Sequence, residues 1–226
     1  MQGVFITGTS TGVGKTRIGV LLATALSERN IRVIPRKPVE SGCSRVDDEL
    51  VPEDAQALMS AANYTGNLPE VCRYRFEPPI SPARAARLAG SAVSTADLVE
   101  ACRLGSEQGF VLVEGAGGFY SPLSEDGLNA DLAAALQLPV LLVAEDALGV
   151  LNHVLLNAEA IKTRGLSLIG VVLNSLDTET DAQMDNAADL REYLDCAVYV
   201  PPYNAGQLPD ALVDAVASLQ VKAIAR

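Results

Sequence analysis

The apolar run Val4-Phe5-Ile6 leads straight into GTSTGVGKT, Gly8 to Thr16, and an apolar-periodic segment follows at once. A strand, a glycine-rich turn and a helix in this order restrict the fold more than anything else in the chain. Glycines let the backbone curl until its N–H groups face one point, and the helix start adds the positive end of its dipole there. Such a loop suits phosphate, with Lys15 reaching the β- and γ-phosphates and the Thr16 hydroxyl available to Mg²⁺. The spacing departs from the common pattern. Five residues separate Gly8 from Gly14, where the usual loop has about four.

The rest of the chain alternates between short apolar runs and helical periods. Val4–Thr7, Ile31–Ile34, Phe110–Val113, Val140–Ala144, Leu168–Leu173 and Val198–Val200 read as strands. Thr16–Leu26, Ala55–Ala62, Thr95–Gln108, Leu151–Thr163 and Ala182–Leu194 read as helices. Apolar strands separated by helices predict an α/β fold, a parallel sheet of the P-loop NTPase type with helices on both faces. One domain over residues 1–226 is expected, since that length can bury a full core. Pro69 to Gly90, rich in Pro and Arg, reads as an irregular excursion.

Charge narrows the partners. A net charge of −11 argues against a nucleic-acid backbone, which requires clustered Lys and Arg. An anionic nucleotide would need a local positive site, and Lys15 is the nearest candidate. Cys43, Cys72, Cys102 and Cys196 lie far apart with no histidine cluster, so they read as packed thiols and not as a zinc or redox centre. The chain opens without a signal-like segment and holds no apolar stretch long enough to span a bilayer, so a reducing cytoplasm is expected.

Ligands of such sheets bind beyond the carboxyl ends of the strands. RKPVESG (Arg36 to Gly42) follows the second strand, and Lys37 there is either a solvated charge or a cation facing the cleft. Glu114 follows FVLV, where P-loop proteins place a metal-holding carboxylate. Gly115, Ala116, Gly117 and Gly118 come next, small enough for close approach of a phosphate. Asp54 at a helix start and Asn174 at a strand end each allow a structural reading beside a functional one. His153, the only histidine, starts an apolar helix and suits packing or capping.

Taken together, GTSTGVGKT, KPVESG, VEGAGG, LGVLNH and VVLNSL, in this order, resemble dethiobiotin synthetase from Val4 to about Asn204. The wide glycine spacing is that family's form of the loop, although Ser10 and Gly12 stand where its members often carry acidic residues. The resemblance implies ATP-dependent carboxylation and ring closure of 7,8-diaminononanoate (7,8-diaminopelargonate) by CO₂, giving dethiobiotin, ADP and phosphate. It implies that Lys15 and Lys37 are catalytic, holding carbamate and γ-phosphate oxygens. Mg²⁺ would be held by Thr16, Asp54 and Glu114. ATP would meet the loop at Gly12, Val13, Gly14 and Arg17, then Gly115, Ala116 and Gly117. Asn174, Pro202, Tyr203 and Asn204 would hold the adenine. Thr11, Lys37 and Ser41 would contact the substrate, and Val150, Leu151 and Asn152 its carboxylate across a homodimer interface.

Two other classes share the layout. A partitioning-type ATPase switch carries a second lysine near the position of Ser10 and lacks KPVESG. A cobyrinate-type amidoligase is normally joined to a glutaminase half. Neither accounts for this constellation as well as the synthetase does.

Overall fold

The computed structural model describes residues 1–176 and 184–221. In chain order its first elements are β1 (Gly3–Gly8), α1 (Lys15–Glu28), β2 (Val33–Arg36), β3 (Val39–Ser41), β4 (Ser44–Val46), β5 (Glu49–Val51) and α2 (Glu53–Ala61). There follow α3 (Leu68–Val71), β6 (Tyr74–Phe76), α4 (Pro82–Leu88), α5 (Thr95–Arg103) and β7 (Phe110–Gly118). The last are α6 (Asn129–Leu136), β8 (Val140–Glu145), α7 (Val150–Thr163), β9 (Leu168–Asn174), α8 (Asn186–Tyr193), β10 (Ala197–Tyr199) and α9 (Asp210–Val221).

Every residue of β1 is buried, as a central strand covered on both faces requires. Alternate side chains go to opposite sides. Phe5 joins one core with Val111 and Val113 of β7, beneath α5, α6 and part of α4. Val4 and Ile6 join another with Phe110 and Leu112, covered by Ile18, Leu22 and Leu26 of α1 and by Leu212 and Val216 of α9. Each fully buried Leu or Phe in these layers contributes roughly 1.5–3 kcal/mol.

The six-stranded sheet has the order β10-β9-β8-β1-β7-β2, and all of its pairings are parallel. From β1 the chain goes first to the edge at β2, returns to fill the gap with β7, and then builds outward through β8, β9 and β10 on the other side. The crevice at that reversal is where such sheets take ligands. The loop after β1 sits there, tied to β8 by the Thr9 N–H donating to the Val143 carbonyl at 3.0 Å.

The α/β architecture is as the sequence predicts, with local differences. β2 runs two residues further on, through Pro35 and Arg36; it is an edge strand, where a missing N–H is tolerated. The helix from Thr95 ends at Arg103, and Gly105 with φ of 64° turns the chain before a short 3₁₀ turn over Ser106–Gln108. The stretch from Pro69 to Gly90 is not irregular, since it supplies most of α3, all of β6 and all of α4. β6 pairs with β3, and β4 and β5 form a hairpin whose Asp47 and Asp48 both take positive φ, as a two-residue turn demands. The beginning of the predicted helix Ala182–Leu194 lies outside the described residues; α8 is its observed part.

Candidate active site

The loop between β1 and α1 forms one wall of a cleft of roughly 470 Å³. Thr11, Gly12, Gly14, Lys15 and Thr16 line it from this side, and Lys37, Ser41, Asp54 and Glu114 from the other. Gly14 closes the loop with φ of 94°, a left-handed conformation that starts α1 without a side-chain cap. The Lys15 ammonium folds back on the loop, donating to the Ser10 carbonyl at 3.0 Å. Burial, reinforced by the Lys37 charge, lowers its pKa to about 8.

Lys37 is the centre of the cleft floor. It is not a solvated charge: its side chain is 4% exposed. Its Nζ donates to Glu114 Oε1 at 2.5 Å and to Asp54 Oδ2 at 2.7 Å. Burial alone would lower this ammonium, but attraction to Glu114 and Asp54 outweighs it and holds the pKa above the ordinary lysine value. At Asp54 burial pushes the carboxyl up, and the Lys37 charge and hydrogen bond overcome it, leaving a net lowering. Lysine has three N–H donors, so one remains for an anionic oxygen.

Glu114 lies within β7, which continues past it to Gly118, instead of following a shorter strand. It shares a face with Phe110 and Leu112 and so points toward α1. Gly19 of α1 makes the room; a Cβ there would lie 3.3 Å from Glu114 Oε2. The Thr16 hydroxyl donates to Glu114 Oε1 at 2.8 Å. Glu114 Oε2 is buried with no partner among the described residues. One hydroxyl and two carboxylates thus lie together beside the Lys37 ammonium, and oxygens of these kinds are the ligands that a hard divalent ion takes.

Of the other expected residues, some reach the cleft and some do not. Ala116 and Gly117 line the cleft, whereas Gly115 is backed by Asn129, whose Oδ1 accepts the Ala116 N–H at 2.9 Å. Asn174 is wholly buried, its Nδ2 donating to the Val13 carbonyl at 3.0 Å and its Oδ1 accepting from Arg17. Pro202 borders a separate groove with Ala205 and Leu208. Tyr203 and Asn204 lie beside it in sequence, Asn204 with φ of 50°. Val150 is buried at the start of α7, and neither it, Leu151 nor Asn152 lines the cleft. His153 is exposed and so does not pack.

Comparison with known proteins places this geometry in a family. A model described as AAA domain matches residues 2–203. The ATP-dependent dethiobiotin synthetase BioD of Anaeromyxobacter dehalogenans is 45% identical over 192 residues, covering 84% of each chain. That of Ruthia magnifica is 38% identical over 200 residues, covering 88% of this chain and 91% of its own. The chain belongs to the dethiobiotin synthetase family. Among solved structures, chloroplast FtsY from Physcomitrella patens has a TM-score of 0.56 at 20% identity, and the match covers 96% of this chain and 65% of that one. The Pyrococcus furiosus cell division ATPase MinD gives 0.50 at 16% identity, covering 97% and 89%. These two likenesses concern the fold alone.

For a dethiobiotin synthetase the cleft contains a residue that sequence reasoning passed over. Helix α2 begins after Pro52, which offers no side-chain cap. Glu40 of β3 does this from a distance: its Oε1 accepts the Asp54 N–H at 3.1 Å and its Oε2 the Ala55 N–H at 3.0 Å. Burial, opposed by Lys37 and assisted by Asp54, raises its pKa to about 7. Glu40→Ala would leave two helix-start donors unpaired and is expected to cost about 1–2 kcal/mol. Urea unfolding checks this. Glu40→Gln, which keeps one acceptor, should fall between the two, and an unchanged midpoint in Glu40→Ala would show that the cap contributes nothing.

Proposed function

We propose that this cleft performs the ATP-dependent carboxylation and ring closure of 7,8-diaminononanoate to dethiobiotin, the reaction of biotin biosynthesis that its family name describes. The observation that carries the reading is Lys37, a buried cation held between Glu114 and Asp54 beside Lys15 and Thr16.

The chemistry needs positioned charge more than a general base. A neutral amine of the diamine attacks CO₂, giving a carbamate and releasing a proton to solvent. The carbamate oxygen attacks the γ-phosphorus of ATP, and ADP leaves. The second amine then attacks the carbamoyl carbon; the C–O bond breaks, phosphate departs, and the ring closes with loss of a proton. Lys37, with one donor free, would hold the carbamate and γ-phosphate oxygens as negative charge gathers between them. Lys15 would leave the Ser10 carbonyl for the phosphates, whose charge favours its protonated form.

Thr16, Asp54 and Glu114 are the residues that would hold Mg²⁺, which when bound supplies neutralisation of the polyphosphate charge. Backbone N–H groups from Gly12 to Arg17, with Gly115 to Gly117, would surround the phosphates. Asn174 and Pro202 to Asn204 would take the base. Thr11 and Ser41 would meet the diamine end of the substrate. The start of α7 lies outside the cleft of its own chain, and Leu148 beside it is 93% exposed. Both facts support a homodimer in which Val150 to Asn152 of a second copy receive the substrate carboxylate. Sedimentation at the mass of one chain under assay conditions would contradict that arrangement. The acidic net charge and the four free thiols suit a cytoplasmic enzyme of small molecules with no nucleic-acid partner. Among the described residues no helix is long and apolar enough to cross a membrane.

The test is ADP release with and without the diamine and bicarbonate. Release should require both and match dethiobiotin formed. Hydrolysis at a similar rate without them would favour an ATPase switch.

A further inference from the structure

We propose that Arg17 is a positioning residue for the base end of the nucleotide site, acting through Asn174 and the loop that carries Ala205. The inference rests on the nucleotide reading above and adds a role for a side chain that the loop motif leaves open.

Arg17 stands in the first turn of α1, half-buried. Its Nη1 donates to Asn174 Oδ1 at the end of β9, and its Nη2 donates to the Ala205 carbonyl at 3.1 Å. Asn174 passes the connection on, since its Nδ2 donates to the Val13 carbonyl at 3.0 Å. One guanidinium therefore joins the helix that follows the phosphate loop to two segments 157 and 188 residues away in sequence. The loop after β10 has a turn bond of its own, from the Ala205 N–H to the Pro202 carbonyl at 3.0 Å. Among the described residues its hydrogen bond to α1 comes from Arg17, while Leu208 further on packs in one core with Ile18 and Leu22. Charged donors in a planar fork fix direction as well as distance, so Arg17 sets where Pro202 to Asn204 sit relative to the phosphate cradle.

The phosphates and the base are then held by two parts of the protein that Arg17 aligns. Its loss should weaken a ligand that uses both parts and spare a ligand that uses only the cradle. Calorimetric titration with ATP and with inorganic tripolyphosphate separates these cases. In Arg17→Ala the Kd for ATP should rise about ten-fold, the worth of one charge-assisted hydrogen bond, while that for tripolyphosphate stays within about two-fold. Arg17→Lys, with one charged donor in place of the fork, should recover part of the ATP affinity.

An equal loss for both ligands would mean that Arg17 merely supports the phosphate loop, and would overturn the proposal. An unchanged ATP affinity would do the same. Neither titration contains the diamine, so failure of the ring-closing reaction leaves this test standing. Wild-type protein that binds neither polyphosphate would overturn the nucleotide reading and this proposal together.

Discussion

Lys37→Gln is expected to lose turnover by roughly a hundred-fold or more, the usual effect of removing one preorganised donor to developing charge. It should also lose stability, because Lys37 neutralises a buried partner. The Glu114 side chain is 0% exposed, whereas that of Asp54 is 41% exposed. Breaking a buried pair by removing one member costs roughly 3–5 kcal/mol. Asp54 contributes little to that figure, since water screens it. The double variant Lys37→Gln/Glu114→Gln should therefore regain most of the stability and none of the turnover. Unfolding midpoints beside turnover for the single and double variants separate the two roles of Lys37. Near-normal turnover in the single variant would remove Lys37 from the reaction.

Gly14→Ala is the second large expected effect. The residue has φ of 94°, and an added Cβ would lie under 3.0 Å from Asn174 Nδ2. Asn174 cannot easily give way, being wholly buried and bonded to both Val13 and Arg17. Left-handed strain and overpacking together should cost about 3 kcal/mol, and ATP affinity should fall as the loop shifts. Gly12→Ala is the control. Gly12 also has positive φ, 81°, yet a Cβ there meets nothing within 4 Å, so strain alone should cost about 1 kcal/mol. Equal urea midpoints for the two variants would contradict this account of the loop.

What could be read from the sequence follows from how local each signal is. β1, its loop and α1 form one continuous segment in which spacing, glycines and helical period agree, and all were legible. α6 and α9 were not anticipated. α6, NADLAAAL, is short and apolar around most of its surface, because most of it is buried and no polar stripe marks a period. The sequence reading ends the second strand at Ile34, and the edge position of β2 explains why the strand continues through Pro35.

The same distinction runs through the site. Lys15, Thr16, Glu114 and Asp54 stand out in the sequence because each belongs to a loop motif, the end of an apolar run or a helix start. The burial of Lys37 was not legible, since its two carboxylates lie 17 and 77 residues away. Glu40 was missed for the same reason: the first N–H that it caps, that of Asp54, lies 14 residues later, and only the folded chain brings them together. Asn174 was legible as a strand-end amide, but its contacts with Val13 and Arg17 were not.

If a carbamate oxygen attacks the γ-phosphate in the Lys37 cleft, the fate of that oxygen reveals it. Doubly ¹⁸O-labelled CO₂ is mixed rapidly with enzyme, diamine, ATP and Mg²⁺, and phosphate is analysed by mass before the label exchanges with water. When the second amine attacks carbon and the C–O bond breaks, the bridging oxygen leaves with phosphorus. One ¹⁸O is expected in each phosphate released, in step with dethiobiotin. Phosphate without ¹⁸O, its fourth oxygen taken from solvent, would mean that water is the nucleophile, and would contradict this route.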